Sequence, residues 1–323
     1  MTTHAEHIRQ HRQKMKDEGG AAIAKLVEAH PEFAMDADQS GSASVTNYVI
    51  FGQCDDEPVV FKYFCQDERR AREIYGLLHW MPTGIVPRLY HDEGLRLIVI
   101  ERFPGSFLPR PSEEGFAAID RELAGYSLGV ATAKFCTTPI SKEEADGFER
   151  RFYDGQKLEE YFGKIIGAGR SIVQKVEVYG GDVFLQSLAF LEGQLEAILA
   201  QPRMLYHQDA QMHFENSRFC GFFDLEMCRV GTRAMQFGSM WGQFAECEHW
   251  SHFARGFSEE SGIVLTEEDF EIGRAFAHFM VWRYITRYGE WRGGEGETQR
   301  ASIQDAEQFA ADIERWNRVR WQE

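Results

Sequence analysis

The sequence lacks the features that mark membrane, secreted and disulfide-built proteins. No apolar run approaches about 18 residues, so we find no membrane span. The N-terminal stretch MTTHAEHIRQHRQKMKDEGG is polar and lacks the apolar centre of a signal peptide. The six cysteines form no CxxC pair and no cluster with histidine that resembles a metal site. We therefore expect a cytoplasmic protein with scattered reduced thiols.

Positive charge is also scarce. The chain has 35 lysines and arginines against 51 aspartates and glutamates, which gives a net charge of −16. A general nucleic-acid binder needs a basic footprint, so we expect no nucleic-acid partner. The lack of an apolar span likewise predicts no membrane partner. An acidic surface suits a cationic small-molecule substrate, although most acidic surfaces only confer solubility. With 323 residues and 43% apolar residues, the chain can form one large domain or two lobes.

The first third of the chain alternates predicted strands with one amphipathic helix. A strand from about 45 to 53 and a second strand after Pro58 flank a polar turn. The helix QDERRAREIYGLLHWMP has Asp67 as its expected N-cap and ends at Pro82. Two further strands are expected around a turn at Asp92–Gly94. Pro104-Gly105 is a strong breaker and the candidate boundary between two lobes.

The remainder is mostly helical, with two short strands embedded in the stretch HQDAQMHFENSRFCGFFDLE. A late helical stripe runs from Phe270 to Tyr288. The order of elements predicts an α+β fold with a small β-rich N-terminal lobe, residues 1–105, and a large helical C-terminal lobe, residues 106–323.

The chain also contains, in order, the parts that phosphoryl transfer from ATP requires: a lid, a cation, acids for magnesium and a group at the acceptor hydroxyl. A small-residue loop at 40–44, which includes Ser42, can bring backbone N–H groups to phosphate. Lys62 lies in a strand among apolar residues, and Glu73 on the next helix can pair with it. Asp209 follows a short apolar run, and Asp224 ends the strand FCGFF.

These motifs resemble the aminoglycoside phosphotransferase and choline kinase group, which has a protein-kinase-like fold. VVFKYF is similar to the strand of the phosphate-binding lysine, and RAREIYGLL to the helix of its glutamate partner. VPRLYHDEGLRLIVIERFPG is similar to the strand pair and hinge, with Glu101 and Phe103 near the adenine. HQDAQMHFEN resembles the HxDxxxxN catalytic loop, and GFFDLE the strand that ends in the magnesium-binding aspartate.

The resemblance implies ATP and Mg²⁺ as cofactors and a role for each residue. Lys62, positioned by Glu73, would contact the α- and β-phosphates. Asp224 would hold the magnesium ion, and Asp209 would accept or orient the proton of the substrate hydroxyl. The implied activity is an ATP-dependent small-molecule kinase, with an amine-bearing acceptor as one possibility.

The sequence departs from the family pattern in the catalytic loop. The metal-binding asparagine should stand five residues after Asp209, where Phe214 is found instead. Asn216 and Gln211 are the oxygen donors nearby, and magnesium prefers them to His213. Asn216 is equally well explained as a turn residue within ENS, so both roles remain open.

A second departure follows Asp224. In EMCRVGTRAMQFG, Thr232, Arg233 and Gln236 replace the Asp, Pro and Asp of the family pattern, and the second of those aspartates braces the catalytic loop. A glutamine can still form a hydrogen bond, though not a charged one. These departures keep open an alternative, a kinase-like protein with weak or lost catalysis that binds a nucleotide or a partner.

The acceptor is expected against the helical lobe. Trp241, Glu246, Glu248 and Trp250, with Trp282, Tyr284 and Tyr288 on the late helix, combine carboxylates with aromatic faces that suit an amine. Aromatic residues at helical spacing more often belong to the core, and we favour that interpretation for most of them.

Overall fold

The structure is a computed structural model, and it describes residues 4–37, 41–44, 46–109, 114–175, 181–209, 211–247 and 250–277. The chain divides into two compact units. The first contains Met1–Gly105, Gln211–His213 and Cys220–Cys228, and the second contains Ser106–Ala210, Phe214–Phe219 and Arg229–Glu323. The first stretch of unit 1 ends at the Gly105 breaker, while two short pieces of the later hairpin also belong to this unit.

The first unit is built on an antiparallel sheet in the order β1-β3-β4-β6-β5, with β2 paired to the outside of β3. The strands are β1 (Phe33–Met35), β2 (Gly41–Ala43), β3 (Asn47–Cys54), β4 (Glu57–Phe64), β5 (Leu89–Gly94) and β6 (Leu97–Glu101). Helix α1 (His4–Ala29) precedes the sheet, and helix α2 (Asp67–Trp80) follows β4.

One face of the sheet packs against α1, and the other face carries Lys62. Alternate residues of the central strands, among them Ile50, Phe61 and Val99, form a core with Ile23 and Leu26 of α1. Residues of the other register, among them Lys62 of β4, point to the opposite face because successive side chains alternate along a strand. Strand β4 therefore buries Val59, Phe61 and Tyr63 against α1 and carries Lys62 on its other face.

Several predicted boundaries in this unit are shifted. Asp67 is the first residue of α2 rather than its N-cap, which is Gln66. The tight turn before β6 lies at Leu95–Arg96, both with positive φ, because β5 continues through a bulge to Gly94. Residues 41–43 of the expected phosphate loop form β2 instead, and the turn that follows begins at Ser44.

The second unit is mainly helical. Its helices are α3 (Arg121–Thr137), α4 (Lys142–Phe152), α5 (Leu158–Lys175), α6 (Gly181–Gly193), α7 (Leu195–Ala200), α8 (Arg233–Cys247) and α9 (Trp250–Ser261). Residues 267–277 are also helical, and the rest of the predicted late stripe lies outside the described residues. No helix in the described ranges is both long and apolar enough to cross a bilayer.

Close helix packing in this unit depends on small residues. Gly129 of α3 meets the backbone of α9, where an added Cβ would overlap the carbonyl oxygen of Phe253. The buried face of α3 is accordingly lined by small residues around Leu128, whereas the larger Leu123 and Val130 are only half-buried.

The described residues between α7 and α8 form four short strands: β7 (Met204–His207), β8 (Gln211–Glu215), β9 (Arg218–Phe223) and β10 (Cys228–Gly231). Strand β7 pairs with β10, and β8 pairs with β9. The β8–β9 hairpin turns at Asn216–Ser217, both with positive φ, as a two-residue type I′ turn requires. The α+β fold class predicted from the sequence is confirmed.

Candidate active site

A buried ion pair lies on the sheet face opposite the α1 core. Lys62 Nζ donates to Glu73 Oε2 at 3.0 Å, and the side chains are 5% and 0% exposed. Strand β4 holds the lysine, while α2 presents Glu73 on its buried side. Burying two ionisable groups costs free energy unless they are paired, so this arrangement is a specific structural element rather than a chance contact.

Asp224 completes a three-residue cluster with this pair. It follows β9 directly, adopts a left-handed conformation at φ 65°, and its Oδ1 accepts a short hydrogen bond from Lys62 Nζ. Its side chain is 31% exposed, in contrast to its two partners. A non-glycine residue at positive φ is uncommon, although aspartate tolerates it better than most. The turn thus directs a partly accessible carboxylate to the buried lysine.

Three further residues surround Asp224 and were missed by the sequence analysis. Asn47 Nδ2 donates to Asp224 Oδ1 at 3.4 Å and to Glu226 Oε2 at 3.5 Å. Arg69 Nη1 donates to the other oxygen of Glu226 at 2.9 Å. The adjacent acids in FFDLE were the available signal for Glu226, whereas nothing in the sequence pattern pointed to Asn47 or Arg69.

The charges in this cluster shift one another's pKa. Burial alone would lower the pKa of Lys62, but the carboxylates of Asp224, Glu73 and Glu226 outweigh it, so the pKa lies above its ordinary value. Burial raises the pKa of Glu73 to about 7, against the opposing effect of Lys62. Both pKa shifts are consistent with a protonated Lys62 whose strongest attraction is to the Asp224 carboxylate. The Glu73 carboxyl loses its proton only near neutral pH.

The predicted phosphate loop is a strand and a tight turn. Ser42 is exposed in β2 and pairs with Val49, which pairs in turn with Lys62. Directly paired residues point to the same side of a sheet, so Ser42 and Lys62 share a face about 10 Å apart across two strand spacings. The turn is closed by Ser44, whose Oγ accepts from Thr46 N at 3.0 Å and Asn47 N at 2.9 Å.

The predicted hinge residues follow strand β6. Glu101 ends that strand, and its Oε2 accepts from the backbone N–H of Arg88 at 3.1 Å. Phe103 is half-buried against β9, where a Cβ on Gly221 would overlap its ring. The close approach fixes Phe103 beside the strand that leads to Asp224. No contact of either residue bears on adenine, so their nucleotide role remains a prediction.

Asp209 lies in the second unit, in an exposed turn just after β7. The segment before it is braced from α8. The backbone N–H of His207 donates to Gln236 Oε1 at 2.8 Å, and both residues are fully buried. Gln236 therefore makes the hydrogen bond that the sequence analysis allowed for it, without the charge of the aspartate in the family pattern.

The two candidate oxygen donors occupy different parts of the β8–β9 hairpin. Gln211 begins β8 and is half-buried. Asn216 is exposed at φ 49° in the turn, which supports the turn role left open by the sequence. Phe214, where the pattern requires asparagine, is 5% exposed and bonds through its backbone to Ser106. The metal-binding roles of Gln211 and Asn216 stay predictions.

A magnesium ion fits the chemistry of the residues around Asp224. The carboxylates of Asp224 and Glu226 are oxygen donors, which a small hard cation prefers, and Asn47 donates its Nδ2 to both of them. The partial exposure of Asp224 also leaves it accessible to a hydrated ion. His213 is a poorer candidate, since magnesium prefers oxygen ligands and the imidazole packs against Phe223, with ring centroids 4.5 Å apart.

The aromatic residues proposed for acceptor binding are only partly described. Trp250 is 1% exposed and packs against Phe237, Phe253 and Phe270, so it belongs to the core. This placement agrees with the interpretation favoured from the sequence. The side chains of Trp241 and Glu246, and residues Glu248, Trp282, Tyr284 and Tyr288, lie outside the described part of the chain.

No protein-family model matches the sequence, and no curated protein matches it. Solved structures do match. A macrolide 2′-phosphotransferase from Brachybacterium faecium is 16% identical, with a TM-score of 0.55 over 88% of this chain and 97% of that one. A choline/ethanolamine kinase family protein from Mesorhizobium loti is 15% identical, with a TM-score of 0.58 over 95% and 99% of the two chains.

An ADP-bound aminoglycoside phosphotransferase is 14% identical, with a TM-score of 0.53 over 93% of this chain and 98% of that chain. At such low identity these comparisons establish a shared fold and no more. The chain has the fold of kinase-like small-molecule phosphotransferases, and the resemblance seen in its sequence is confirmed at that level.

Proposed function

We propose that this protein is an ATP- and magnesium-dependent phosphotransferase that acts on a hydroxyl group of a small molecule. The observation that carries the proposal is the buried Lys62, held by Glu73 and bonded to the more accessible Asp224. A core built only for stability gains little from such a cluster, because desolvation offsets most of the attraction between buried charges. Perturbed ionisable groups of this kind are typical of functional sites.

Lys62 would contact the α- and β-phosphates of ATP. It is kept protonated by its acidic neighbours, and Glu73 fixes its position from α2. Ser42 shares a sheet face with Lys62 and would lie over the phosphates. Glu101 and Phe103 would lie beside the adenine, as the resemblance implies. The ADP-bound phosphotransferase of the same fold supports a nucleotide as ligand.

Asp224 would hold the magnesium ion, with Gln211 and Asn216 as the other candidate donors. When bound, magnesium supplies charge neutralisation at the β- and γ-phosphate oxygens. Asp224 accepts a hydrogen bond from Lys62, so the carboxylate that would hold the metal also stands beside the lysine that would contact the phosphates.

Asp209 would accept or orient the proton of the acceptor hydroxyl. It is exposed, and the strand before it is held by the hydrogen bond between His207 and Gln236. Phosphoryl transfer needs mainly positioning and charge stabilisation, so a well-placed carboxylate is sufficient protein chemistry at the acceptor.

The test is an acceptor screen that follows ADP release from Mg-ATP. Wild type should release ADP faster with at least one hydroxyl compound, and Asp209→Asn should lose at least about 100-fold in kcat, as expected for a general base. Asp17→Asn, on the exposed side of α1, is the matched control and should keep full activity. Equal acceptor-dependent rates in wild type and Asp209→Asn would contradict the role of Asp209.

A second function is favoured by one observation, the buried Phe214 at the position of the expected asparagine. In this case the protein would bind nucleotide without turning it over. The screen separates the two, because nucleotide binding without ADP release for any acceptor supports the second function.

A further inference from the structure

Two histidines and two glutamates meet where α1 ends, and the proposed phosphotransfer chemistry uses none of them. His30 and Glu32 lie between α1 and β1, and their side chains are 33% and 40% exposed. His91 and Glu93 lie on β5, at 25% and 39% exposure. The ring centroids of the two histidines are 4.6 Å apart.

The sheet brings these segments together although they are far apart in strand order. Strands β1 and β5 are opposite ends of the order β1-β3-β4-β6-β5, yet the ring of Phe33 lies 5.8 Å from that of His91. Phe33 also contacts Phe61 of the central strand β4, at 5.9 Å. The sheet is therefore strongly curved around this aromatic group, and its two edges approach on the concave side.

That side is the α1-facing core rather than the Lys62 face. His91 pairs with Val99, and Val99 pairs with Phe61, both of which belong to the core with α1. Lys62 pairs with Ile98, in the other register. The histidine cluster is thus on the opposite side of the sheet from the proposed nucleotide site.

We propose that His30, His91 and Glu93 bind one zinc ion. One ligand atom from each residue lies within 4.8 Å of the other two. His91 Nε2 and Glu93 Oε2 are already 3.0 Å apart, close to the roughly 3.3 Å between two ligands of a tetrahedral zinc ion. Two imidazoles and one carboxylate form a donor set that suits zinc better than magnesium or calcium.

Glu32 is placed to orient one of the ligands. His30 Nδ1 is 3.2 Å from Glu32 Oε1, so Nδ1–H donates a hydrogen bond to the carboxylate. The lone pair of this histidine is then on Nε2. A ligand histidine commonly donates its other ring N–H to a carboxylate in this way. The partial exposure of all three ligands lets an ion enter from solvent and leaves a fourth position for water.

Zinc bound there would be a structural metal ion that links two segments of the chain. It would join the end of α1 to edge strand β5, where His30 and His91 already contact each other and Phe33. Because the ion would bind residues from both edges of the curved sheet, zinc should stabilise the folded chain without any nucleotide present.

The experiment is a zinc titration of the full-length, untagged protein after treatment with a chelator. Calorimetry should show one equivalent of zinc, and zinc should raise Tm. His91→Asn should weaken zinc binding by about 100-fold and Glu93→Gln by at least about 10-fold, and Glu32→Gln should have a smaller effect. His252→Asn, a half-exposed histidine on α9, is the matched control and should bind as wild type does.

Circular dichroism of each variant shows whether it is folded, and Glu93→Gln preserves shape if His91→Asn does not fold. Cobalt(II) serves as a second probe, since tetrahedral coordination gives absorption that the His91 variant should lose. No saturable zinc binding, or binding unchanged in both His91→Asn and Glu93→Gln, would overturn the proposal. Because nucleotide is absent, neither outcome depends on the phosphotransferase assay.

Discussion

At the scale of single residues, Glu73 is the most constrained group of the candidate site. Its side chain is fully buried, Oε2 pairs with Lys62, and Oε1 has no hydrogen-bond partner in the described part of the chain. Burial raises its pKa to about 7. A carboxyl in this position makes the stability of the fold depend on pH.

The direction of that dependence follows from the shift. The pKa of Glu73 rises from 4.5 to about 7 on folding, so the stability contributed by its protonated form is complete below pH 4.5 and is lost as pH rises through about 7. We expect the free energy of unfolding of wild type, relative to Glu73→Gln, to fall by about 3 kcal/mol between pH 5 and pH 8, measured by urea unfolding.

The control is Glu68→Gln, on the same helix and 54% exposed, which should leave the pH profile of wild type unchanged. A constant difference between wild type and Glu73→Gln across this range would mean that Glu73 does not titrate in the folded protein.

At the scale of secondary structure elements, the contact of α3 with α9 depends on Gly129. A methyl group there would overlap the Phe253 carbonyl, and backbone cannot rotate away as a side chain can. We expect Gly129→Ala to destabilise the protein by about 1–3 kcal/mol in urea unfolding, the usual range for overpacking.

Gly147→Ala in α4 is the matched control, since nothing lies within 4 Å of its added methyl group. That variant should be stabilised by about 0.5–1 kcal/mol, because alanine favours helix over glycine. Similar effects of the two substitutions would show that α3 and α9 do not pack this closely.

The elements also show how far the sequence predicts the structure. Lys62, Glu73 and Asp224 lie on the elements that the sequence predicted for them: a strand, the following helix and the end of the strand FCGFF. Asn47 was missed because its contact with Asp224 joins residues 177 apart, and local periodicity carries no signal for that.

Small and positive-φ residues account for the shifted boundaries. The β5–β6 turn uses Leu95 and Arg96 at positive φ, and neither residue type signals a turn. The glycine and serine residues of the expected phosphate loop form strand β2, because they pair with the edge of β3. Tertiary pairing thus overrides local composition at both places.

At the scale of the whole molecule, the net charge of −16 bears on the class of acceptor. If the acceptor is an amine-bearing cation, its kcat/KM should fall as salt rises from 20 to 200 mM (concentrations chosen to span about 20 to 7 Å of screening), whereas that of a neutral sugar should not. Activity on neutral sugars but on no amine-bearing compound would exclude a cationic acceptor.

The central claim is that Lys62 and Asp224 form a magnesium–nucleotide site. Calorimetric titration with ATP, with and without magnesium, tests it most directly on wild type beside Asp224→Asn and the exposed control Asp17→Asn. We predict that magnesium strengthens ATP binding to wild type and to the control at least about 10-fold, and that Asp224→Asn loses this dependence. No ATP binding by wild type, or an equal magnesium effect in Asp224→Asn, would contradict the account.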